Sequence, residues 1–185
     1  AIVTNAGGPA VLATDAAVLA GATLPELAPE TISQLDSFLP SHWSHANPVD
    51  VLGDAPPDRF ARAVQSALAD PNTDGLLAIV APQAMTDPAE TAKQFVLAAH
   101  TARKPVLASW MGGDGVAEGV RILSQASIPT YSYPDAAARV FASMAQFDST
   151  LKLLYETPLP DPSARQILAP DTNAEVAARL EAVRA

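Results

Sequence analysis

Cysteine is missing from all 185 residues, which excludes a disulfide framework and any thiolate nucleophile or thiolate metal ligand. Aromatic residues make up only 5% of the chain, too few and too scattered to sandwich an isoalloxazine ring. Cations are scarce as well. Lys and Arg together number 11 against 20 Asp and Glu, a formal net charge of −9. An acidic chain without a basic stripe is a poor match for nucleic acid or an anionic membrane, since both need cations. No apolar run approaches the roughly 20 residues that cross a bilayer. The chain begins Ala1-Ile2-Val3-Thr4-Asn5, with neither an initiator Met nor a basic flank, and reads as a piece of a longer chain. The absence of cysteine agrees with a reducing compartment, and a cytoplasmic location is the expectation.

Hydrophobic residues, by contrast, are 49% of the sequence, enough for a substantial core. Apolar runs alternate with stretches of helical period. Short strands are expected at residues 2–3, 23–27, 48–52, 75–81, 105–110 and 130–133. Helices are expected at residues 9–21, 29–39, 58–69, 89–100, 116–126 and 136–147. The run Gly75-Leu76-Leu77-Ala78-Ile79-Val80-Ala81 is apolar on both faces, the signature of a parallel strand covered on both sides. The alternation predicts an α/β fold: a flavodoxin-like, doubly wound parallel sheet with helices on both faces, complete over residues 1–147. Residues 148–185 then form a Pro-punctuated tether and an Ala/Glu/Arg helix. That helix either docks on a following domain or packs on this one.

In such a sheet the ligand crevice lies beyond the carboxyl ends of the strands, and four segments are expected there. In the first, Asn5-Ala6-Gly7-Gly8-Pro9, two readings stand: a tight turn, or a glycine-bare helix start whose free N–H groups attract an anion. The second, Pro82-Gln83-Ala84-Met85-Thr86-Asp87-Pro88, leads into a helix. Thr86 or Asp87 can serve as its N-cap, and Asp87 suits that role better than it suits an anion site. The third, Met111-Gly112-Gly113-Asp114-Gly115, reads first as turn chemistry. In the fourth, Asn47-Pro48-Val49-Asp50, the Asn47 side chain is placed to hydrogen-bond a neighbouring loop. None is a Walker loop or a dinucleotide fingerprint. His42, His45 and His100 have no metal-ligand company at a helical spacing, and Ser44 near His45 makes no triad without an oriented acid and an oxyanion hole, so no self-contained active site is legible.

Taken together, the segments 2–15, 47–54, 82–88 and 104–113 resemble, in order, motifs in the third α-chain domain of NDP-forming acyl-CoA synthetases. Tyr155-Glu156-Thr157-Pro158 resembles the family's exit toward an ATP-grasp domain. The family includes ADP-forming acetate–CoA ligases, is related to succinyl-CoA synthetase, and includes fusions with a GNAT module, some of them protein lysine acetyltransferases. The resemblance implies a reaction of acid, CoA and ATP giving acyl-CoA, ADP and phosphate. It implies partner domains too: a CoA-binding Rossmann domain, a domain carrying a phosphorylated histidine, and an ATP-grasp domain using ATP or ADP with Mg²⁺. This domain alone is expected to bind no cofactor and to be inactive. Its implied part is to hold the phosphohistidine with helix N-termini, through Asn5, Gly7 and Gly8 at one helix start and Gln83, Ala84, Met85 and Thr86 at another. A regulatory role beside a GNAT domain is the alternative. The family's Ser-His-Thr-Gly-like phosphoacceptor motif is missing here; Ser44-His45-Ala46 is followed by Asn47. No residue in these loops identifies the acyl group.

Overall fold

A computed structural model of the chain describes residues 1–100 and 102–155. By contacts the chain divides into two units, Ala1–Phe147 and Asp148–Ala185. The expected tether and helix between residues 158 and 184 lie outside the described residues.

Five strands form one all-parallel sheet: β1 (Ile2–Thr4), β2 (Val49–Asp50), β3 (Leu76–Val80), β4 (Val106–Trp110) and β5 (Thr130–Tyr131). Their spatial order is β2-β1-β3-β4-β5, which is the flavodoxin-like arrangement. Six helices connect and follow them: α1 (Gly7–Leu19), α2 (Pro29–Asp36), α3 (Pro57–Ala69), α4 (Pro88–Ala99), α5 (Ala117–Gln125) and α6 (Pro134–Tyr155). Strand alternation divides the core in two. Val3, Ala78, Val80, Ala108 and Trp110 share one face with α3, α4 and α5, while Ile2, Leu77, Ile79 and Leu107 share the other with Ala13 and Ala17 of α1 and Ala137 and Ala138 of α6. The continuous apolar runs of β3 and β4 are thereby explained: both faces of the sheet are covered.

Three expectations are corrected. The strand expected at residues 23–27 does not form. Side chains from elsewhere hold the polar backbone of that stretch: Asn47 Nδ2 donates to Pro25 O (2.9 Å), Asn72 Nδ2 donates to Glu26 O (3.0 Å), and Ala28 N donates to Asp70 Oδ2 (2.8 Å). Helix α1 starts two residues earlier than expected, so Gly7 and Gly8 lie inside its first turn rather than in a turn before it. It ends in a Schellman motif, with Gly21 at φ +84°, Ala22 N donating to Ala17 O (2.9 Å) and Gly21 N donating to Val18 O (3.0 Å). Helix α6 runs to Tyr155 rather than stopping at Phe147, and an i,i+4 pair of Lys152 with Asp148 (2.7 Å) supports its last turns.

Candidate functional site

Strand β1 lies between β2 and β3. The connection leaving β1 enters α1 on one face of the sheet, whereas that leaving β3 enters α4 on the other. The two connections diverge at the carboxyl ends of β1 and β3, where an open parallel sheet has its crevice. Asn5 is the first residue past β1 at that point, and it is buried at 3% exposure. Its Nδ2 donates to Ala81 O (2.9 Å), and its Oδ1 accepts from Ala81 N (2.9 Å). The same Nδ2 reaches Thr86 Oγ1 at 3.4 Å. Asn5 therefore ties the loop after β1 to the loop after β3 and forms the floor of the crevice.

The other expected residues of that second loop meet Asn5. Gln83 Nε2 donates to Asn5 O (3.3 Å), and Thr86 Oγ1 accepts from Gln83 N (3.1 Å). Thr86 N donates to Gln83 O (2.9 Å), closing a turn whose middle residues, Ala84 and Met85, are exposed. Asn5, Gln83 and Thr86 are thus one hydrogen-bonded set, with Gly7 and Gly8 immediately beyond Asn5.

The two helix starts differ. At α4, Asp87 Oδ1 accepts from Ala89 N (3.1 Å) and Glu90 N (2.9 Å), so an acid of the chain caps that helix, as the sequence suggested. At α1 the N-cap is Ala6, which offers no side-chain oxygen, and the first turn holds no acid. Thr4 Oγ1 accepts from Ala6 N (3.0 Å), but no group among the described residues accepts from the amides of Gly7 and Gly8. These exposed N–H groups sit where the helix dipole is positive.

Residues that sequence reasoning gave no role complete the rim. A Cβ on Gly7 would lie 3.2 Å from Asp50 Oδ2, so the carboxylate at the end of β2 stands beside the first turn of α1. Asp50 Oδ1 accepts from Leu52 N (2.9 Å), and Leu52 adopts φ +72°, a left-handed conformation costly for a leucine. A Cβ on Gly53 would meet Gln83 Oε1 at 2.0 Å, so the bare backbone there makes room for the Gln83 amide. The one sequence signal for this set was the segment 47–54, read for Asn47 alone. Asn47 itself lies at the opposite, amino edge of the sheet, where its Oδ1 accepts from Ile2 N (3.0 Å). It does bond a neighbouring loop, at Pro25, but not in the crevice.

The third loop is a support. Gly112, at φ +142°, lets Pro82 approach to 2.8 Å from where its Cβ would be. Trp110 Nε1 donates to Pro88 O (3.1 Å), anchoring the first turn of α4, and the indole stacks on Phe95 at 5.7 Å. Among the histidines, His45 Nδ1 pairs with Asp36 Oδ1 (2.9 Å) and Nε2 contacts Ser41 O (3.0 Å), in the loop before β2 and so at the amino edge. His100 caps the carboxyl end of α4. Among the described residues no three His, Cys, Asp or Glu are grouped to hold a metal, and no helix is long and apolar enough to cross a membrane.

Comparison with known proteins identifies the family. A family model described as the Ligase-CoA domain matches residues 1–172. The chain is 38% identical over 147 residues to an acetate–CoA ligase [ADP-forming] I of Archaeoglobus fulgidus, covering 80% of this chain and 21% of that protein. It is 40% identical over 151 residues to an acetate–CoA ligase [ADP-forming] II subunit alpha of Pyrococcus furiosus, covering 79% and 33%. Among solved structures, the dinucleotide forming acetyl-coenzyme A synthetase 1 of Ca. Korarchaeum cryptofilum, in complex with phosphate and ADP, superposes with a TM-score of 0.77 at 31% identity, covering 84% of this chain and 35% of that one. The chain thus spans between a fifth and a third of the curated relatives it matches. Over most of its length it belongs to the Ligase-CoA domain family of the ADP-forming acyl-CoA synthetases.

Proposed function

We propose that this domain works within a larger ADP-forming acid–CoA ligase, converting acid, CoA and ATP to acyl-CoA, ADP and phosphate, and that its part is to hold the transferred phosphoryl group. The observation that carries this reading is the uncapped start of α1 at the switch point, where the amides of Gly7 and Gly8 have no acceptor among the described residues. A phosphoryl group on a histidine of another domain fits there, since a helix start offers N–H donors and positive potential without a competing cation. Asn5, Gln83 and Thr86 then act by fixing the two loops against each other, with Ala84 and Met85 forming the outer wall. The Asp50 carboxylate beside Gly7 narrows the approach, repelling an anion that is not placed over the amides. CoA, ATP or ADP and Mg²⁺ belong to the other domains in this reading. Coupling between domains follows from it, because the histidine must reach α1 to be held.

The test uses the full-length enzyme. A Cβ on Gly8 meets nothing within 4 Å, so Gly8→Val places a branched side chain beside the open amides without a clash at that atom. With γ-labelled ATP and Mg²⁺, the wild type is expected to accumulate acid-labile phosphohistidine and, when given acid and CoA, to release the label as inorganic phosphate while acyl-CoA forms. In Gly8→Val both should fall about 10²-fold, the scale on which loss of transition-state hydrogen bonds acts. Unchanged labelling and discharge in Gly8→Val would overturn the proposal.

A further inference from the structure

Helix α1 is built inside out. The residues it turns to the sheet are small, Ala10, Ala13 and Ala17, whereas its large apolar side chains point away: Val11 is 61% exposed, Leu12 46%, Val18 58% and Leu19 88%. An ordinary surface helix has the reverse arrangement. With Gly8 and Asp15, these residues fall at i, i+3, i+4, i+7, i+10 and i+11, the stripe along which one helix packs against another. The stripe carries one charge, Asp15, at its middle, and it begins at Gly8, at the mouth of the crevice.

We infer that this stripe is the seat of an α-helix from another domain of the same enzyme, apolar along its contact face and bearing one basic residue opposite Asp15. The matched region covers only 21% and 33% of the two curated relatives, so such a protein supplies further chain for this domain to pack against. A second copy of this domain fits poorly. Two-fold packing of α1 on itself would bring two Asp15 carboxylates together, and α1 has no Lys or Arg to offset them. The small residues on the inner side let α1 lie close to the sheet, leaving its outer side as the second half of a three-layer contact. The inference rests on the proposed function only in taking this chain as one domain of a larger enzyme.

Carbene footprinting of the full-length enzyme tests it, because the readout needs no turnover and stands or falls apart from phosphoryl transfer. Leu97 on α4, 67% exposed, serves as reference within the same molecule. Val11, Leu12, Val18 and Leu19 are expected to be labelled about fivefold less than Leu97, as side chains in a dry interface core are. Asp15→Arg should raise their labelling toward that of Leu97. A photo-reactive side chain, Leu19→p-benzoylphenylalanine, should cross-link to a segment of the same enzyme outside residues 1–185. Labelling equal to that of Leu97 overturns the inference. So does cross-linking to residues 1–185 of a second copy, or protection that Asp15→Arg leaves unchanged.

Discussion

The side-chain amide of Asn5 and the peptide groups of Ala81 form a closed pair across the switch point, with both donor–acceptor distances at 2.9 Å. Seventy-six residues separate the partners, yet the pair imitates one more rung of the β1–β3 ladder. Asn5→Ala removes both bonds and leaves part-buried backbone groups at Ala81 without their partner, a loss of about 1–3 kcal/mol. Hydrogen exchange on the enzyme should show faster exchange at the Ala81 amide, with protection in the middle of β4 retained. Asn5→Asp replaces the donor with a carboxylate facing Ala81 O, so it should fail to rescue.

Gly53 and Gln83 should behave as a coupled pair. The atoms that Gly53→Ala would strike are the end of a flexible, exposed side chain, so the global stability cost should stay within about 1 kcal/mol. The Gln83 amide must nonetheless leave its place and lose its bond to Asn5 O. In a double-mutant cycle, Gly53→Ala is expected to add nothing in a Gln83→Ala background, whereas two independent sites would add.

Gly112→Ala should be far more costly. Its φ of +142° is a conformation that alanine resists, and the new methyl would press on the Pro82 ring. The expected loss is about 1–3 kcal/mol, read as a lower urea midpoint with the slope unchanged.

Asp70 predicts an acid limb in stability. The carboxyl is buried, which by itself raises its pKa. Hydrogen bonds from Thr31 and the amides of Ala28 and Asn72, with the nearby Lys104, outweigh that and hold it below the ordinary aspartate range. A folded pKa below the unfolded one contributes stability in full above the unfolded value, and the contribution is lost as pH falls through the folded value. Urea midpoints should therefore be flat in this respect at neutral pH and should decline below about pH 4, near the unfolded carboxyl pKa. Asp70→Asn should be destabilised at pH 7, and the gap to wild type should narrow toward pH 3. A gap that does not change with pH would mean that the charge carries none of the effect.

Leu52 offers a test in the opposite direction. Its left-handed backbone is held by Asp50 Oδ1, which accepts its N–H, and by Ala55 N, which donates to its carbonyl (3.1 Å). Leu52→Gly relieves about 1 kcal/mol of backbone strain but loses the packing of a half-buried side chain. In an Asp50→Ala background, where only the Ala55 N bond still holds the turn, the glycine should be less harmful than in the wild type. Thermal melts of the four proteins would show it.

What the sequence determined by itself is what short-range chemistry decides. The runs Leu76–Val80 and Val106–Trp110 read as buried strands, and Thr86 or Asp87 as the cap of the helix that Pro88 begins, because a cap's partners lie only two and three residues away. Gly21 ended α1 for the same local reason. Gly7 and Gly8 were legible as either a tight turn or an anion-attracting helix start, and only the family resemblance joined Asn5 to them as a candidate anion site. The tertiary structure decided the rest. Residues 23–27 have the composition of a strand, but the carbonyls of Pro25 and Glu26 are taken by Asn47 and Asn72 and the following amide of Ala28 by Asp70, all from distant parts of the chain. Whether a helix start is open or closed, and which carboxylate or amide stands beside a bare glycine, depends on contacts spanning 30 to 80 residues, as Gly53 with Gln83 and Asn5 with Ala81 show. Loop closure over such spans leaves no periodic trace in the sequence, since the bonds form only once the sheet has brought the strand ends together.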